Sequence, residues 1–141
     1  MIRKQIKNFG TEYFGRLKAA LLNRPFNSLA RIREQNYSDY LWDTVPDIDN
    51  YLKEHEAYQK LLEDNGVEVF LVHDYVDKNQ ELLNYLPNLT YMHDIAVVSS
   101  KGAIISSMST PARNAESIAV KEALVNLGIP VFHHLDRKSV V

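Results

Sequence analysis

The chain has 141 residues, a hydrophobic fraction of 45%, a formal net charge of −2 and no cysteine. This length suits one domain with a buried core, and the small charge gives no basic surface for nucleic acid or an anionic membrane. No apolar run reaches the ~20 residues of a membrane span, and no signal peptide is visible, so we expect a cytoplasmic protein. The lack of cysteine excludes disulfides, thiolate metal sites and a thiol nucleophile from this sequence.

The first half of the sequence predicts two strands that flank an irregular stretch and a long helix. Residues 17–22 are an apolar run that stops before Pro25, which is typical of a buried strand. Residues 26–46 are irregular, but their aromatic side chains favour a packed loop or a short helix over disorder. The second strand is predicted over residues 67–72.

The helix between these strands has the clearest pattern in the sequence. Asp47 or Asp49 can cap its first turn. Gly66 is expected in the left-handed conformation that ends a helix. Apolar and aromatic residues recur at spacings of three and four and form one stripe, consisting of Tyr51, Leu52, His55, Tyr58, Leu61 and Leu62.

The second half predicts a hairpin, a helix and a last strand. Pro111 is expected to open the helix, where its fixed φ is tolerated, and Gly128 to end it. The buried face of this helix is predicted to be Val120, Ala123, Leu124 and Leu127. The other predicted elements are a polar segment with a helical turn (74–86), the two hairpin strands (94–99 and 103–107) and the last strand (129–132).

A weak internal repeat relates the two halves. Residues 65–70, N-G-V-E-V-F, match residues 127–132, L-G-I-P-V-F, 62 positions later. Each copy ends a helix at glycine and starts a strand, so the second unit is interpreted as β-β-α-β and the first as a degenerate copy with an insertion. A chance likeness between two helix–glycine–strand junctions is the alternative. A real repeat would need neighbouring units to bury its faces.

Three stretches carry a resemblance to a known superfamily. The first is L-L-N-R-P at 21–25, which is similar to L-x-H-R-P. The second comprises W-D-T-V-P at 42–46, E-H-E at 54–56 and L-L with G-V-E-V within 61–69, similar to F-D-D-x-P, E-H-x-x-F and L-x-x-x-G-V-E-V. The third comprises P-N-L-T-Y-M-H-D at 87–94 and M-S-T-P-A-R-N-A-E at 108–116, similar to P-N-L-x-F-T-R-D and M-x-x-P-A-R-x-x-E. Together they resemble the arginine deiminase and amidinotransferase superfamily, the penteins.

The resemblance implies an α/β fold, a propeller of five β-β-α-β units around a channel that holds the substrate guanidinium. This chain would supply a partial pentein propeller, about two of the five units, with mixed sheets and helices on the outside. Residues 1–135 are therefore predicted to be the N-terminal part of a pentein domain, and residues 136–141, which suit no element of it, a non-native tail. Unpaired strand edges favour association, so a homo-oligomer is expected.

Four residues are predicted to bind substrate: Asp94, Arg113, Tyr91 and Asn88. The resemblance gives Asp94 the role of a carboxylate that pairs bidentately with the guanidinium, placed at the start of a strand. It places Tyr91 at an aromatic position whose ring would stack on the cation. From the residues alone, Asp94 could instead cap a turn beside His93, and Tyr91 could be a core tyrosine.

Arg113 and Asn88 stand at positions where the superfamily contacts an amino-acid substrate. The guanidinium fork of Arg113 suits a substrate carboxylate. Its alternative is a surface ion pair with Glu116, three residues later. The alternative for Asn88 is a structural role in a Pro-Asn turn.

The resemblance implies a parent enzyme in which a cysteine attacks the guanidinium carbon of arginine or a related guanidino compound, and a histidine acts as acid and base. Without cysteine, this chain holds no predicted catalytic residue and is expected to be inactive alone. Deiminase-type hydrolysis and amidinotransfer share the first half-reaction, and His93 stands where the superfamily has arginine, so substrate and acceptor stay open. A non-catalytic binding or interaction module of the same fold is the alternative function.

Neither a metal nor another cofactor is predicted. His73, His93 and the pair at 133–134 lack the spaced pattern of metal ligands. The expected partner is a small guanidino molecule.

Overall fold

Two small sheets organise the chain in the computed structural model, which describes residues 3–10, 15–25 and 27–135. The first sheet has two parallel strands, and the second has three strands in the order β3-β4-β5, antiparallel between β3 and β4 and parallel between β4 and β5. The strands are β1 (Ala19–Leu22), β2 (Glu68–Leu71), β3 (Ala96–Ser99), β4 (Gly102–Ile105) and β5 (Val131–His134). The predicted tail at 136–141 lies outside the described residues.

Among the described residues, three α-helices and five short 3₁₀ helices connect the strands. The α-helices are α1 (Ile48–Asp64), α2 (Val72–Tyr75) and α3 (Glu116–Asn126). The 3₁₀ helices are Asn27–Arg31, Tyr37–Tyr40, Gln80–Tyr85, Pro87–Asp94 and Pro111–Arg113. Within the described part of the chain, no helix is long and apolar enough to cross a membrane.

The predicted repeat is present in the connections of the two sheets. Helix α1 joins the parallel strands β1 and β2, and helix α3 joins the parallel strands β4 and β5. Each helix is followed by a glycine in the left-handed region, Gly66 with φ 76° and Gly128 with φ 89°, where a Cβ would be strained. The second unit is a complete β-β-α-β unit. The first has only its parallel pair in the described residues, as a degenerate copy would.

Helix α1 begins and ends as the sequence predicts, but its apolar stripe is not buried. The carboxylate of Asp47 accepts a hydrogen bond from the Asn50 backbone N–H at 3.1 Å, which makes Asp47 the cap. No residue of α1 is buried, and Tyr58 and Leu61 are 52% and 59% exposed. A sheet of two four-residue strands is too small to cover a 17-residue helix, so the stripe lies against it only in part.

The hydrophobic core lies between the three-stranded sheet, α3 and the chain from β2 to Leu89. The predicted buried face of α3 is confirmed, because Val120, Ala123, Leu124 and Leu127 are all at most 4% exposed. Leu89 and Ile95 are fully buried and anchor the segment between the sheets. Burial of a leucine or isoleucine of this kind contributes about 1.5–3 kcal/mol of folding free energy. The position of this segment is therefore fixed by the core.

Two local predictions need correction. Asp94 is the last residue of the 3₁₀ helix Pro87–Asp94 and not the start of a strand, since β3 begins at Ala96. Pro111 opens a separate 3₁₀ turn, and α3 starts only at Glu116. Both places are short 3₁₀ turns that hydrophobic periodicity does not reveal, and only the first of them contains buried residues.

One carboxylate on α3 holds the loop between α2 and the 3₁₀ helix Gln80–Tyr85. Glu122 accepts the backbone N–H groups of Asp77 and Lys78 at 2.7 Å each and that of Asn79 at 3.2 Å. It also accepts the Asn79 side-chain amide at 2.6 Å. Burial acts to raise the pKa of Glu122, but these hydrogen bonds together hold that pKa below its ordinary value.

Replacement of Glu122 by Gln is expected to destabilise the fold, because an amide nitrogen cannot accept the hydrogen bonds that one carboxylate oxygen now receives. Hydrogen bonds to charged groups are worth about 1.5–3 kcal/mol, so the free energy of unfolding should fall by about that amount at pH 7. Urea unfolding measures it. Since the folded pKa is lowered, the stabilisation is present above the ordinary pKa and is lost as the pH falls through the lowered value, so the difference should shrink in acid.

The matched control is Glu63→Gln on α1, an exposed glutamate whose partner is Gln59 at 2.9 Å. This variant should unfold at nearly the same urea concentration as the wild type. Equal stability of the Glu122 and Glu63 variants would contradict the role given to Glu122.

The three-stranded sheet leaves apolar side chains open to solvent. Val97 and Ile104 pair across β3 and β4 and are 66% and 43% exposed, and Phe132 on β5 is 61% exposed. Strand β3 is also an edge of this sheet. Open edges beside apolar side chains favour pairing with another chain.

We therefore expect the isolated chain to self-associate in a concentration-dependent way, which light scattering measures. Combined Val97→Thr and Ile104→Thr replacements keep strand propensity and remove apolar surface, so they should reduce the average mass. The control Leu61→Gln removes an exposed leucine from α1 and should leave association unchanged. A wild-type chain that stays monomeric at high concentration would show that this surface does not drive association.

Candidate functional site

A cavity of about 330 Å³ lies where three separate segments meet. It opens between the end of the 3₁₀ helix Tyr37–Tyr40, the 3₁₀ helix Pro87–Asp94 and the turn Pro111–Arg113. Its lining combines aromatic, amide and charged groups: Leu41, Trp42, Asp43, Asn88, Tyr91 and Arg113. A concave site with an apolar wall and a few converging polar groups is typical of small-molecule binding.

The first segment enters the cavity through a left-handed turn. Leu41 has φ 63°, a region that side chains other than glycine rarely adopt. The turn is held by hydrogen bonds from the Leu41 N–H to the Ser38 carbonyl and from the Trp42 N–H to the Tyr37 carbonyl, both 3.0 Å. It directs Trp42 to the cavity wall and leaves Leu41 exposed at the rim. Strain of this kind costs about 1–3 kcal/mol and is found more often at functional sites than elsewhere.

A buried asparagine ties the first segment to the second. Asn88, 5% exposed, accepts a hydrogen bond from the Trp42 indole N–H at 2.6 Å. Its amide donates to the Tyr40 carbonyl at 2.7 Å. Both ends of the side chain are therefore engaged in holding the loop against the 3₁₀ helix Pro87–Asp94. The role of Asn88 in this structure goes beyond its own Pro-Asn turn.

Two aromatic rings, those of Trp42 and Tyr91, form one wall of the cavity, and the ring of Tyr51 packs behind them. The Trp42 ring lies 5.7 Å from the Tyr51 ring and 6.2 Å from the Tyr91 ring, centre to centre. The hydroxyls of Tyr51 and Tyr91 are hydrogen-bonded at 3.0 Å. Burial and the bond to Tyr91 raise the pKa of Tyr51 well above its ordinary value. Tyr91 is 51% exposed, so its ring is available to a ligand and is not a core tyrosine.

Arg113 is held by two carboxylates and one carbonyl. Its terminal nitrogens Nη1 and Nη2 donate to the two oxygens of Asp94 at 2.8 and 2.9 Å, a bidentate pair. Its Nε donates to Glu116 at 2.8 Å, and Nη2 also donates to the Tyr91 carbonyl at 3.3 Å. These contacts join the start of α3 to the end of the 3₁₀ helix Pro87–Asp94.

The pKa values of the two carboxyl groups around Arg113 shift in opposite directions. The hydrogen bonds from Arg113 hold the pKa of Asp94 below its ordinary value. Glu116 is fully buried, and its second oxygen has no hydrogen-bond partner among the described residues, so burial raises its pKa to about 7 despite Arg113. The pKa of Arg113 is raised by its hydrogen bonds with Asp94. The site therefore keeps a permanent ion pair at Asp94 and a carboxyl that can change its charge near neutral pH at Glu116.

The structure brings the four predicted substrate-binding residues into one region. Asn88, Tyr91 and Arg113 line the cavity, and Asp94 contacts it through Arg113. Asp94 and Arg113 bind each other directly and do not stand at opposite ends of an open space. Arg113 does pair with Glu116, the predicted alternative, but Glu116 lies in the interior and not on the helix surface.

Three further residues of the site were not predicted from the sequence. Trp42 and Asp43 lie in a matched motif, but no pattern indicated that they would line the cavity. Tyr51 was assigned to the apolar stripe of α1, and its hydroxyl bond to Tyr91 depends on how α1 packs. Glu116 is named by the sequence as the alternative partner of Arg113, but its burial is not predicted.

The described residues place aromatic, amide and charged groups around the cavity, and none of them is a thiol. The sequence has no cysteine, and His93 is exposed and does not line the cavity. Among the described residues, no group of three or more His, Asp or Glu side chains is arranged to hold a metal ion. The arrangement can hold a planar cation through a carboxylate, an anion through Arg113 and an apolar surface through the aromatic wall.

No protein-family model matches the chain. Curated relatives are arginine deiminases. Those of Rhodococcus opacus and Mycoplasma capricolum are 42% identical over 60 residues and 37% identical over 76 residues. These stretches are 43% and 53% of this chain but only 15% and 18% of the relatives, so the chain matches a small part of their length.

Solved structures of dimethylarginine dimethylaminohydrolase have the same fold. The Pseudomonas aeruginosa enzyme in complex with citrulline covers 86% of this chain with a TM-score of 0.62 and 22% identity. An adduct of this type of enzyme with S-methyl-L-thiocitrulline has a TM-score of 0.63 at 20% identity. The chain spans 42% and 43% of these two structures.

The structural matches define the class: the chain is an α/β protein with the fold of part of a pentein propeller, and the predicted fold class is confirmed. The matches to arginine deiminases support the resemblance that the motifs indicate, which is to the superfamily of the arginine deiminases and amidinotransferases.

The raised pKa of Glu116 predicts a specific pH dependence of stability. A group whose folded pKa is raised contributes stability that is complete below the unfolded pKa and is lost as the pH rises through the folded value. The wild type should therefore lose stability relative to Glu116→Gln between about pH 4.5 and about pH 7. Thermal unfolding of both proteins across this range measures the difference.

The pKa of Asp94 is lowered, so its own contribution is lost only below its ordinary value of 3.8, outside this window. A difference between the two proteins that stays constant from pH 4.5 to 8 would mean that Glu116 does not titrate in this range.

Proposed function

We propose that the chain, over residues 1–135, is the N-terminal part of a guanidine-modifying enzyme of the arginine deiminase or amidinotransferase type. In this proposal its cavity contributes the binding site for arginine or a related guanidino compound. Asp94 pairs with the substrate guanidinium, Arg113 with the substrate carboxylate, and Tyr91 and Asn88 complete the site. A cytoplasmic location and a free small molecule as substrate belong to the same proposal.

The observation that carries the proposal is the bidentate contact between Asp94 and a guanidinium. Asp94 already holds the guanidinium of Arg113 through two bonds of 2.8 and 2.9 Å beside the cavity. Its lowered pKa keeps the carboxylate charged at neutral pH, as a cation partner must be. The geometry that a substrate guanidinium would need is therefore present in the protein itself.

The aromatic wall supports the same ligand class. A guanidinium stacks favourably on an aromatic face, and exposed contacts of this kind contribute about 0.5–1 kcal/mol. Tyr91 is half exposed next to Trp42, within the cavity that Arg113 also lines. The names of the relatives agree with a guanidino ligand, since arginine deiminases are named for arginine and one structural neighbour was solved in complex with citrulline.

Chemistry on the bound compound is assigned to the complete enzyme and not to this chain. A covalent amidino intermediate requires a thiolate, and the 141 residues contain no cysteine. Hydrolysis and amidinotransfer begin with the same attack, so the residues present here support both. A longer product of the same gene can be assayed with arginine. Formation of citrulline would indicate hydrolysis, and formation of ornithine would indicate amidinotransfer or complete hydrolysis.

The same absence of cysteine favours a second candidate, a non-catalytic binding or interaction module of pentein fold. This candidate predicts that the protein binds a guanidino compound. It also predicts that any longer product of the gene lacks a cysteine and a histidine suited to catalysis. The assay of the longer product separates the two, because only the enzyme consumes arginine.

Binding by this chain can be measured directly because Trp42 is its one tryptophan. Addition of arginine should change the intensity or wavelength of tryptophan fluorescence, since the ligand would lie against the ring that lines the cavity. Lysine has the same charge and a similar length but no planar guanidinium, so it should give a much smaller change.

The control variant is Trp42→Phe, which removes the signal and keeps an aromatic wall; calorimetry should still detect arginine. A wild-type chain that binds arginine no better than lysine by both methods would refute the proposed ligand class.

A further inference from the structure

The guanidinium of Arg113 has nearly all of its hydrogen-bonding capacity occupied without any ligand. Four of its N–H donors are used: one by Glu116, two by Asp94 and one by the Tyr91 carbonyl. A guanidinium has five such donors. Arg113 is also the better buried partner, with 13% side-chain exposure against 41% for Asp94. The two groups proposed to bind opposite ends of a substrate therefore satisfy each other.

We propose that the site binds by exchange of ion-pair partners, so that a ligand must carry both a guanidinium and a carboxylate to open it. The guanidinium of the ligand replaces Arg113 on Asp94, and the carboxylate of the ligand replaces Asp94 on Arg113. This inference rests on the proposed function and adds to it a determinant of specificity.

The exchange explains why one charged end alone is not enough. A ligand with only a guanidinium displaces Arg113 and leaves that cation, mostly buried, without a carboxylate at its terminal nitrogens. A ligand with only a carboxylate leaves Asp94 without its cation. In each case a partly buried charge loses its partner, which is strongly unfavourable compared with the closed pair. A zwitterionic guanidino compound replaces both lost contacts.

Glu116 serves as the positioning residue for this exchange. It is fully buried and binds the Nε edge of Arg113, whereas Asp94 binds the terminal nitrogens. Departure of Asp94 therefore leaves Arg113 paired on one side and held at the cavity. The remaining oxygen of Glu116 has no partner in the described structure, which leaves it able to accept another N–H of a shifted Arg113.

Three ligands test the selectivity on the intact chain. Arginine carries both groups, agmatine has the guanidinium without the carboxylate, and norvaline has the amino-acid carboxylate without the guanidinium. Calorimetric titration should give the tightest binding for arginine, with agmatine and norvaline each weaker by tenfold or more, on the order of the coupling between contacting charges.

Two variants are expected to bind agmatine or norvaline more tightly than the wild type does. A simple loss of contacts could not produce such a gain in affinity. Asp94→Asn frees Arg113, so it should weaken arginine binding and strengthen norvaline binding by about tenfold. The double variant Arg113→Gln with Glu116→Gln frees Asp94 without leaving a buried charge, so it should strengthen agmatine binding by a similar factor.

The matched control is Asp77→Asn. Asp77 forms the same bidentate pair with Arg3, both bonds 2.6 Å, and does not line the cavity. This variant should leave the order of the three ligands unchanged.

The outcomes separate this inference from the proposed function. If arginine binds the wild type, but agmatine and norvaline bind the variants no more tightly than they bind the wild type, the exchange is wrong and the proposed function stands. If arginine fails to bind the wild-type chain, both are wrong. Gains for norvaline in one variant and agmatine in the other support the exchange. If Asp94→Asn does not melt cooperatively, Asp94→Ser replaces it, and the same norvaline gain is required.

Discussion

The ion pairs of Arg113 are the contacts on which the arrangement of the site depends. One guanidinium connects the 3₁₀ helix Pro87–Asp94 with the first turn of α3, through Asp94 on one side and Glu116 on the other. A partly buried cation of this kind is stable only with its carboxylates in place. In the proposed exchange the same contacts also determine what the site binds, because they occupy the carboxylate and the guanidinium that an arginine-like ligand would use.

The surrounding fold positions this centre through buried side chains and the hydrogen bonds that they form. Leu89 fixes the 3₁₀ helix in the core, and Asn88 beside it holds Trp42 and the carbonyl of Tyr40, so the aromatic wall follows the same segment. On the other face of α3, Glu122 secures the loop after α2 with four hydrogen bonds. Helix α3 thus connects the core, the site and the loop, and a change in its first turn should alter the lining of the cavity.

Much of the fold follows from patterns that act over short distances. The start of α1 at Asp47, the left-handed Gly66 and the buried face of α3 depend on local capping, backbone freedom and helical spacing, all visible in the sequence. The 3₁₀ helix Pro87–Asp94 was not predicted, because its turns are imposed by the burial of Leu89 and not by any period. The superfamily resemblance singled out four residues that lie in or beside one cavity. It could not predict that Asp94 and Arg113 would bind each other, or that Trp42 would be held by Asn88, since these contacts join segments 19 and 46 residues apart.

The central claim is that Asp94 and Arg113 give up their contact with each other when a ligand binds, and that each then contacts one end of the ligand. A crystal structure of the chain with bound arginine tests it most directly. The account predicts that Asp94 contacts the guanidinium of the ligand, that Arg113 contacts its carboxylate, and that the bond from Arg113 Nε to Glu116 is kept. A structure with arginine bound and the bidentate pair between Asp94 and Arg113 intact would contradict it.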